Sequence, residues 1–251
     1  MATVTASAIP PTRRHERLDP RAVEGAGIVL CDLDGCLMSE GRLFAETAEF
    51  AEACGARLRV VSNRSDTTAA ALSAQLSELG ILVPAAHILL AGEFTLEHFA
   101  RQGLRRVRLC AAPVLVERAL ALGLAPNASD PEVVLLCRDP GQNVDTLGPV
   151  LTRIARGAQL WVANEDVSHP DQSGEPVAET GALLAALLAI HPGLSWRSLG
   201  KPHAAMLTHA LSAAGVGADE AIFVGDNAQT DGRAAAAAGM PFIHIRRRSE
   251  R

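Results

Sequence analysis

The run GIVLCDLDG (residues 27–35) passes from continuous apolar character to two acids and a glycine within a few positions. A short apolar run bounded by turn chemistry reads as a buried strand of a parallel sheet that ends in a polar loop. The same pattern returns in LRVVSNR, near residue 60, and in AIFVGDN (221–227). Between such runs lie helical stretches. One spans about Thr47 to Cys54; another covers residues 66–79, from an N-cap Asp66 through Ala and Leu at helical spacing to Gly80. Strands alternating with helices in this way predict parallel βαβ units, and so an α/β fold with a doubly wound, Rossmann-like sheet.

Residues 1–25 hold three prolines and no periodicity, and predict a flexible lead-in. The section from 85 to 178 has elements of its own. Strands are expected near HILLAG, RRVRLCA, PEVVLLC and AQLWVAN, and helices near 94–102, 113–122 and 147–156. After it come helices 179–190 and 203–214, the strand AIFVGDN, a helix near 230–238 and a last strand, PFIHI. The expected organisation is a core of residues 26–84 and 179–251, interrupted by an inserted α/β unit at 85–178.

Composition removes several function classes. Hydrophobic residues make up 48% of the chain, enough for a sizeable core. A net charge of -5, few aromatics and no Tyr argue against a nucleic-acid partner. The basic cluster Arg246 to Arg248 reads as a solvated tail. The longest apolar stretch, Ala182 to Ile190, is far short of the roughly 20 residues that span a bilayer, so no membrane partner is expected. The first residues carry no apolar run of signal-peptide type. Five cysteines without a CxxC pair suit reduced thiols and a cytoplasmic setting.

In an open α/β sheet, ligands bind beyond the carboxyl ends of the strands. Four polar clusters fall at or near such ends: Asp32-Leu33-Asp34-Gly35, Ser62-Asn63, Gly200-Lys201 and Gly225-Asp226. Asp32 and Asp34 are two apart and can project the same way. Carboxylates this close call for a cation or a shared proton, and a hard ion such as magnesium suits oxygen ligands. One carboxylate could attack phosphorus, and the other could serve as general acid and base. Ser62 can donate to a phosphoryl oxygen; Lys201 can neutralise a transferring group. Asp226 is a candidate metal ligand. Asp231, near a helix start, is a supporting acid or simply a carboxylate favoured there.

Together DLDGCLM, VVSNRS, LGKPH and VGDNAQTD resemble the four ordered motifs of the haloacid-dehalogenase superfamily. The resemblance runs from about residue 27 to 247. It implies Asp32 as nucleophile, Asp34 as general acid/base, Ser62 and Asn63 as phosphate ligands and Lys201 as charge stabiliser. It also implies Mg2+ held by Asp32, the backbone carbonyl of Asp34, and Asp226, with Asp231 and Asn227 behind them. The dehalogenase branch lacks an acid at the position of Asp34, so its presence points to phosphoryl transfer.

An insert between the second motif and the Lys motif looks like the large α/β cap of the NagD-like phosphatases. WVANEDVSHP followed by TGALLAALL is similar to that branch's Asn-x-Asp and Gly-Ala-Leu pattern. This chain departs from the branch in Ser62-Asn63-Arg64, which puts a cation near the pocket entrance, and in Ala178-Glu179-Thr180 before Gly181. The sequence also ends soon after the last expected strand. Arg64, Glu165, Asp166 and His169, with Asp171 beside them, are candidates for substrate specificity.

No P-loop is present, because Gly200-Lys201 is followed by Pro. Gly25-Ala26-Gly27 precedes a strand, the wrong order for a dinucleotide turn. His203 and His209 lie six apart and do not share a helix face. The leading expectation is a phosphomonoester hydrolase acting on a small soluble phosphorylated metabolite. A phosphotransferase or mutase using the same aspartyl-phosphate stays open, as does a non-catalytic sensor and association into a homo-oligomer.

Overall fold

The computed structural model describes residues 12–39, 41–170 and 175–247. Asp171 and Arg248 lie outside them. The chain divides into two compact units. One combines residues up to Val61 with Leu76–Val83 and everything from Pro202 on; the other takes Ser62–Gln75 and Pro84–Lys201.

In the first unit, strands Thr12–His15, Phe242–Ile245, Ala221–Gly225, Ile28–Cys31 and Leu58–Ser62, the last as far as Val61, lie side by side in that order, each parallel to the next. Ile28–Cys31 and Ala221–Gly225 are buried at every position, as central strands of a parallel sheet must be. Chain order reverses between these two. From Ile28–Cys31 the chain proceeds to Leu58–Ser62 on one side, and much later lays Ala221–Gly225 against the other. Loops leaving the two strands therefore diverge, which makes this the switch point of the sheet.

The lead-in expected over residues 1–25 is structured where it is described. Thr12–His15 pairs with Phe242–Ile245, and Pro20–Val23 forms a 3₁₀ turn capped by the Asp19 side chain. The side chains of Thr12 to Arg14 are exposed, so no apolar run announces the strand. Backbone pairing alone makes it.

The second unit has its own parallel sheet, in the order Trp196–Arg197, Gln159–Val162, Val133–Leu136, Val107–Cys110. Its core joins Val134, Leu136, Leu160 and Val162 to Leu147 and Val150 of helix Val144–Ala155. Helix Thr180–Ile190, expected to reopen the catalytic core, belongs to this cluster through Leu184 and Leu187. TGALLAALLAI is apolar nearly all round, so its pattern does not say which sheet it covers. Ser168–Pro170 and Pro176–Ala178 add an antiparallel pair. Among the described residues no helix is long and apolar enough to cross a membrane.

Candidate active site

Asp32 follows strand Ile28–Cys31 and Asp226 follows Ala221–Gly225, so the switch point sets them at adjoining strand ends. The Asp32 amide donates to Val224 O at 2.8 Å. One carboxylate oxygen from each of Asp32, Asp226 and Asp231 lies within 4.8 Å of the other two. Asp32 is 7% exposed and Asp231 fully buried. Charges brought together this way are costly without a compensating cation. The donor set, three hard carboxylate oxygens, fits a divalent metal of the magnesium or calcium type.

Asp231, given only a supporting place from its sequence position, is itself a member of this cluster. A π-helical turn, Ala228–Gly232, turns it back toward the strand ends. The Asp231 amide donates to Asn227 O at 2.8 Å, and the Asn227 amide donates to Asp231 Oδ2 at 3.1 Å. The Asn227 side chain caps the turn, its Oδ1 accepting from the Gln229 amide at 2.9 Å. Two glycines make room for the acids. A β-carbon on Gly225 would stand 2.6 Å from Asp231 Cγ, and one on Gly35 would meet the Asp226 carboxylate as closely.

Asp34 is half-buried in a tight loop and its side chain is outside the group of three. Within that loop Leu33 O accepts from the Leu37 and Met38 amides at 2.9 and 3.0 Å, and the Gly35 amide donates to Met38 O at 2.8 Å. Sγ of Cys31 and Cys36 are 3.4 Å apart beneath it. Burial, then Cys31, then the charges of Asp32 and Asp226 push the Cys36 thiol well up, so it stays protonated and inert. All five cysteines are free and buried.

The second unit holds Ser62, Asn63 and Lys201, and the Asn63 amide ties its segment together. Its Nδ2 donates to Lys201 O and to Asp166 Oδ2, both at 2.9 Å, while its Oδ1 accepts from the Lys201 amide at 2.8 Å. Asn164 closes the arrangement: Nδ2 donates to Asn63 O at 2.8 Å, and Oδ1 accepts from the Asp166 amide at 3.1 Å. Gly200 and Gly181 are needed here, since β-carbons on them would press into Ala163 O and Asp166 O. Asn63, expected to bind phosphate, thus spends its side chain on placing Lys201. Ser62 is buried and its Oγ accepts from the Arg64 amide at 3.2 Å; Lys201 is only 3% exposed.

A separate charged group surrounds Glu179. It pairs with Arg138 at 3.1 Å and with His169 Nδ1 at 2.9 Å, while Arg138 also meets Asp66 at 2.7 Å. Burial pushes the Glu179 carboxyl up against the pull of Arg138 and His169. Glu165 accepts from Trp196 Nε1 at 3.1 Å.

A profile of the hydrolase family described as haloacid dehalogenase-like hydrolase matches residues 27–239. This chain belongs to that family. The hydrolase is 28% identical to dihydroxyacetone phosphatase of Corynebacterium glutamicum over 225 residues, covering 86% of this chain and 80% of that protein. It is 26% identical to the ribonucleotide monophosphatase NagD of Escherichia coli, covering 86% of each. Glycerol phosphate phosphatase of Mycobacterium tuberculosis, solved in complex with magnesium, superposes with a TM-score of 0.79 at 25% identity, over 87% of this chain and 68% of that one.

In this hydrolase the Asn-x-Asp and Gly-Ala-Leu signatures have a structural meaning. Asn164 brackets Asp166, and the Gly181 amide donates to Asp166 O at 2.8 Å. No motif marks Arg138 in the sequence. Arg247, expected to lie in a solvated tail, is bonded instead. Arg247 donates to Gly35 O at 3.2 Å and to Cys36 O at 2.7 Å, and pairs with Glu46 at 2.6 Å. More than 200 residues separate Arg247 from those carbonyls, and no local pattern records such a contact.

Proposed function

We propose that this hydrolase is a magnesium-dependent phosphomonoester phosphatase that works through an aspartyl-phosphate on Asp32. The observation that carries the reading is the cluster of Asp32, Asp226 and Asp231 at the switch point, with Asp34 two residues beyond Asp32. Bound there, the metal would supply positive charge against an incoming phosphoryl group and hold Asp32 in place.

The Asp32 carboxylate attacks phosphorus, and the bond from phosphorus to the ester oxygen breaks as Asp34 gives that oxygen its proton. The alcohol leaves. Asp34, now ionised, takes a proton from water as the water attacks the aspartyl-phosphate. Inorganic phosphate departs and Asp32 is restored. Ser62 takes the role of a hydroxyl donor to the phosphoryl oxygens, and Lys201 that of the cation that offsets their charge.

The substrate class is a small soluble phosphorylated metabolite. Support comes from relatives named dihydroxyacetone phosphatase and ribonucleotide monophosphatase. A phosphate-release screen over such metabolites, with and without magnesium, tests the reading. Release from none of them, or release without metal, would overturn it.

A further inference from the structure

We propose that Arg247 is a positioning residue that clamps the loop carrying Asp32 and Asp34, a reading that rests on the phosphatase assignment above. The Asp32–Met38 loop fastens itself from within through Leu33 O, but the carbonyls of Gly35 and Cys36 look outward to Arg247. Its Nε donates to Gly35 O at 3.2 Å and its Nη2 to Cys36 O at 2.7 Å. Nη1 meets Glu46 Oε1 at 2.6 Å, and the guanidinium lies 3.4 Å over the Phe44 ring. Three donors of one planar group are thus spent in fixed directions, an arrangement that Lys, a point charge on a flexible stem, does not reproduce.

The clamp is itself anchored. The Arg246 amide donates to His15 O at 2.7 Å, continuing the pairing of Thr12–His15 with Phe242–Ile245. Glu46 Oε1 also accepts from the Leu18 amide at 3.3 Å. Next to Glu46, Thr47 Oγ1 donates to Leu37 O at 2.6 Å, so the far end of the same loop is tied to the start of helix Thr47–Cys54. A surface pair of Arg247 with Glu46 alone would contribute little. The two bonds to loop carbonyls are different in kind. Gly35 packs directly against Asp226, so holding its carbonyl sets how the Asp32–Asp34 loop stands relative to that acid. Nucleophilic displacement is sensitive to shifts well under 1 Å in such a loop.

Two variants and two measurements test this. Arg247→Lys keeps the charge and the stem; Arg247→Ala removes both and leaves space for added guanidinium. With p-nitrophenyl phosphate and magnesium, each variant is expected to lose about ten- to a hundred-fold in kcat, with KM within about twofold. Guanidinium at millimolar concentration should return part of the kcat of Arg247→Ala. Hydrogen exchange of the amides of residues 35–38 should quicken at least about tenfold in Arg247→Lys while the strands keep their protection. Wild-type kcat and wild-type loop exchange in Arg247→Lys would overturn the clamp, as would exchange that rises uniformly across the protein. If the wild type releases no phosphate from any ester, the phosphatase reading falls, and loop exchange still decides the clamp.

Discussion

A β-carbon on Gly35 would come within 2.6 Å of Asp226 Cγ, and the φ of +82° at Gly35 belongs to the left-handed region. Gly35→Ala therefore has to displace a carboxylate of the acidic cluster as well as bear backbone strain. Strain of this kind costs roughly 1–2 kcal/mol, which a folded domain tolerates. Catalysis should suffer far more, by about a hundredfold or more in kcat. Urea titration and phosphate release on the same preparation check this; a variant within tenfold of wild-type kcat would mean that Asp226 is not held where it must act.

Asp32→Asn should abolish turnover and leave the fold intact, since an amide is a poor nucleophile and a weaker metal ligand. Asp34→Asn should also cripple turnover and let phosphoenzyme accumulate, because the second half-reaction loses its base. Acid-quenched labelling with a phosphorylated substrate distinguishes the two. Near wild-type phosphate release from Asp32→Asn would defeat the covalent mechanism.

Chelation with EDTA should remove activity, and magnesium should restore it better than calcium, which accepts looser geometry. Because Asp231 belongs to the acidic cluster, Asp231→Asn should weaken the metal's effect on stability as well as on rate. Saturating magnesium at about 100 times its Kd stabilises the native state by about 2.7 kcal/mol. A magnesium-induced rise in Tm that survives intact in Asp231→Asn would place the ion elsewhere.

Asp166 and His169, alike as polar loop residues in the sequence, should now behave differently. Asp166 accepts from Asn63, which also holds Lys201, so Asp166→Ala should lower kcat/KM for every ester tested. His169 is 42% exposed and pairs with Glu179. His169→Ala is expected to lower kcat/KM for the metabolite substrate by about ten- to a hundred-fold, the loss of one hydrogen bond to a charged group. The rate with p-nitrophenyl phosphate should barely change. Equal losses on both esters from His169→Ala would move the search for specificity to Arg64.

Glu46 supplies a pH signature. Burial alone would raise its carboxyl, but the bonds from Arg247 and from backbone amides prevail and hold it below the ordinary carboxylate value. A carboxyl lowered in the folded state stabilises the protein above its unfolded pKa, and that stability disappears as pH falls through the folded one. Wild type should therefore lose more stability than Glu46→Gln between about pH 5 and pH 3. Parallel acid limbs in denaturant titrations of the two proteins would show that the pair contributes nothing.

The sequence alone determined the parallel strands and the acids at their ends. Continuous apolar runs such as IVLC and AIFV can only be buried, and an abrupt change to Asp and Gly marks where a strand leaves the sheet. Those are local properties, and local chemistry records them. Tertiary structure decided what local chemistry leaves open. Helix Thr180–Ile190 is apolar on all sides, so only packing could assign it to the Val134–Val162 cluster rather than to the sheet of Asp32. Strand Thr12–His15 exists through backbone pairing with Phe242–Ile245, which side-chain pattern does not encode. The promotion of Asp231 into the acidic cluster depends on a π-helical turn, and the link from Arg247 to Gly35 on the last strand ending beside a loop more than 200 residues earlier. Hydrophobic pattern specifies which segments are buried; hydrogen bonds between distant segments appear only once the chain has folded.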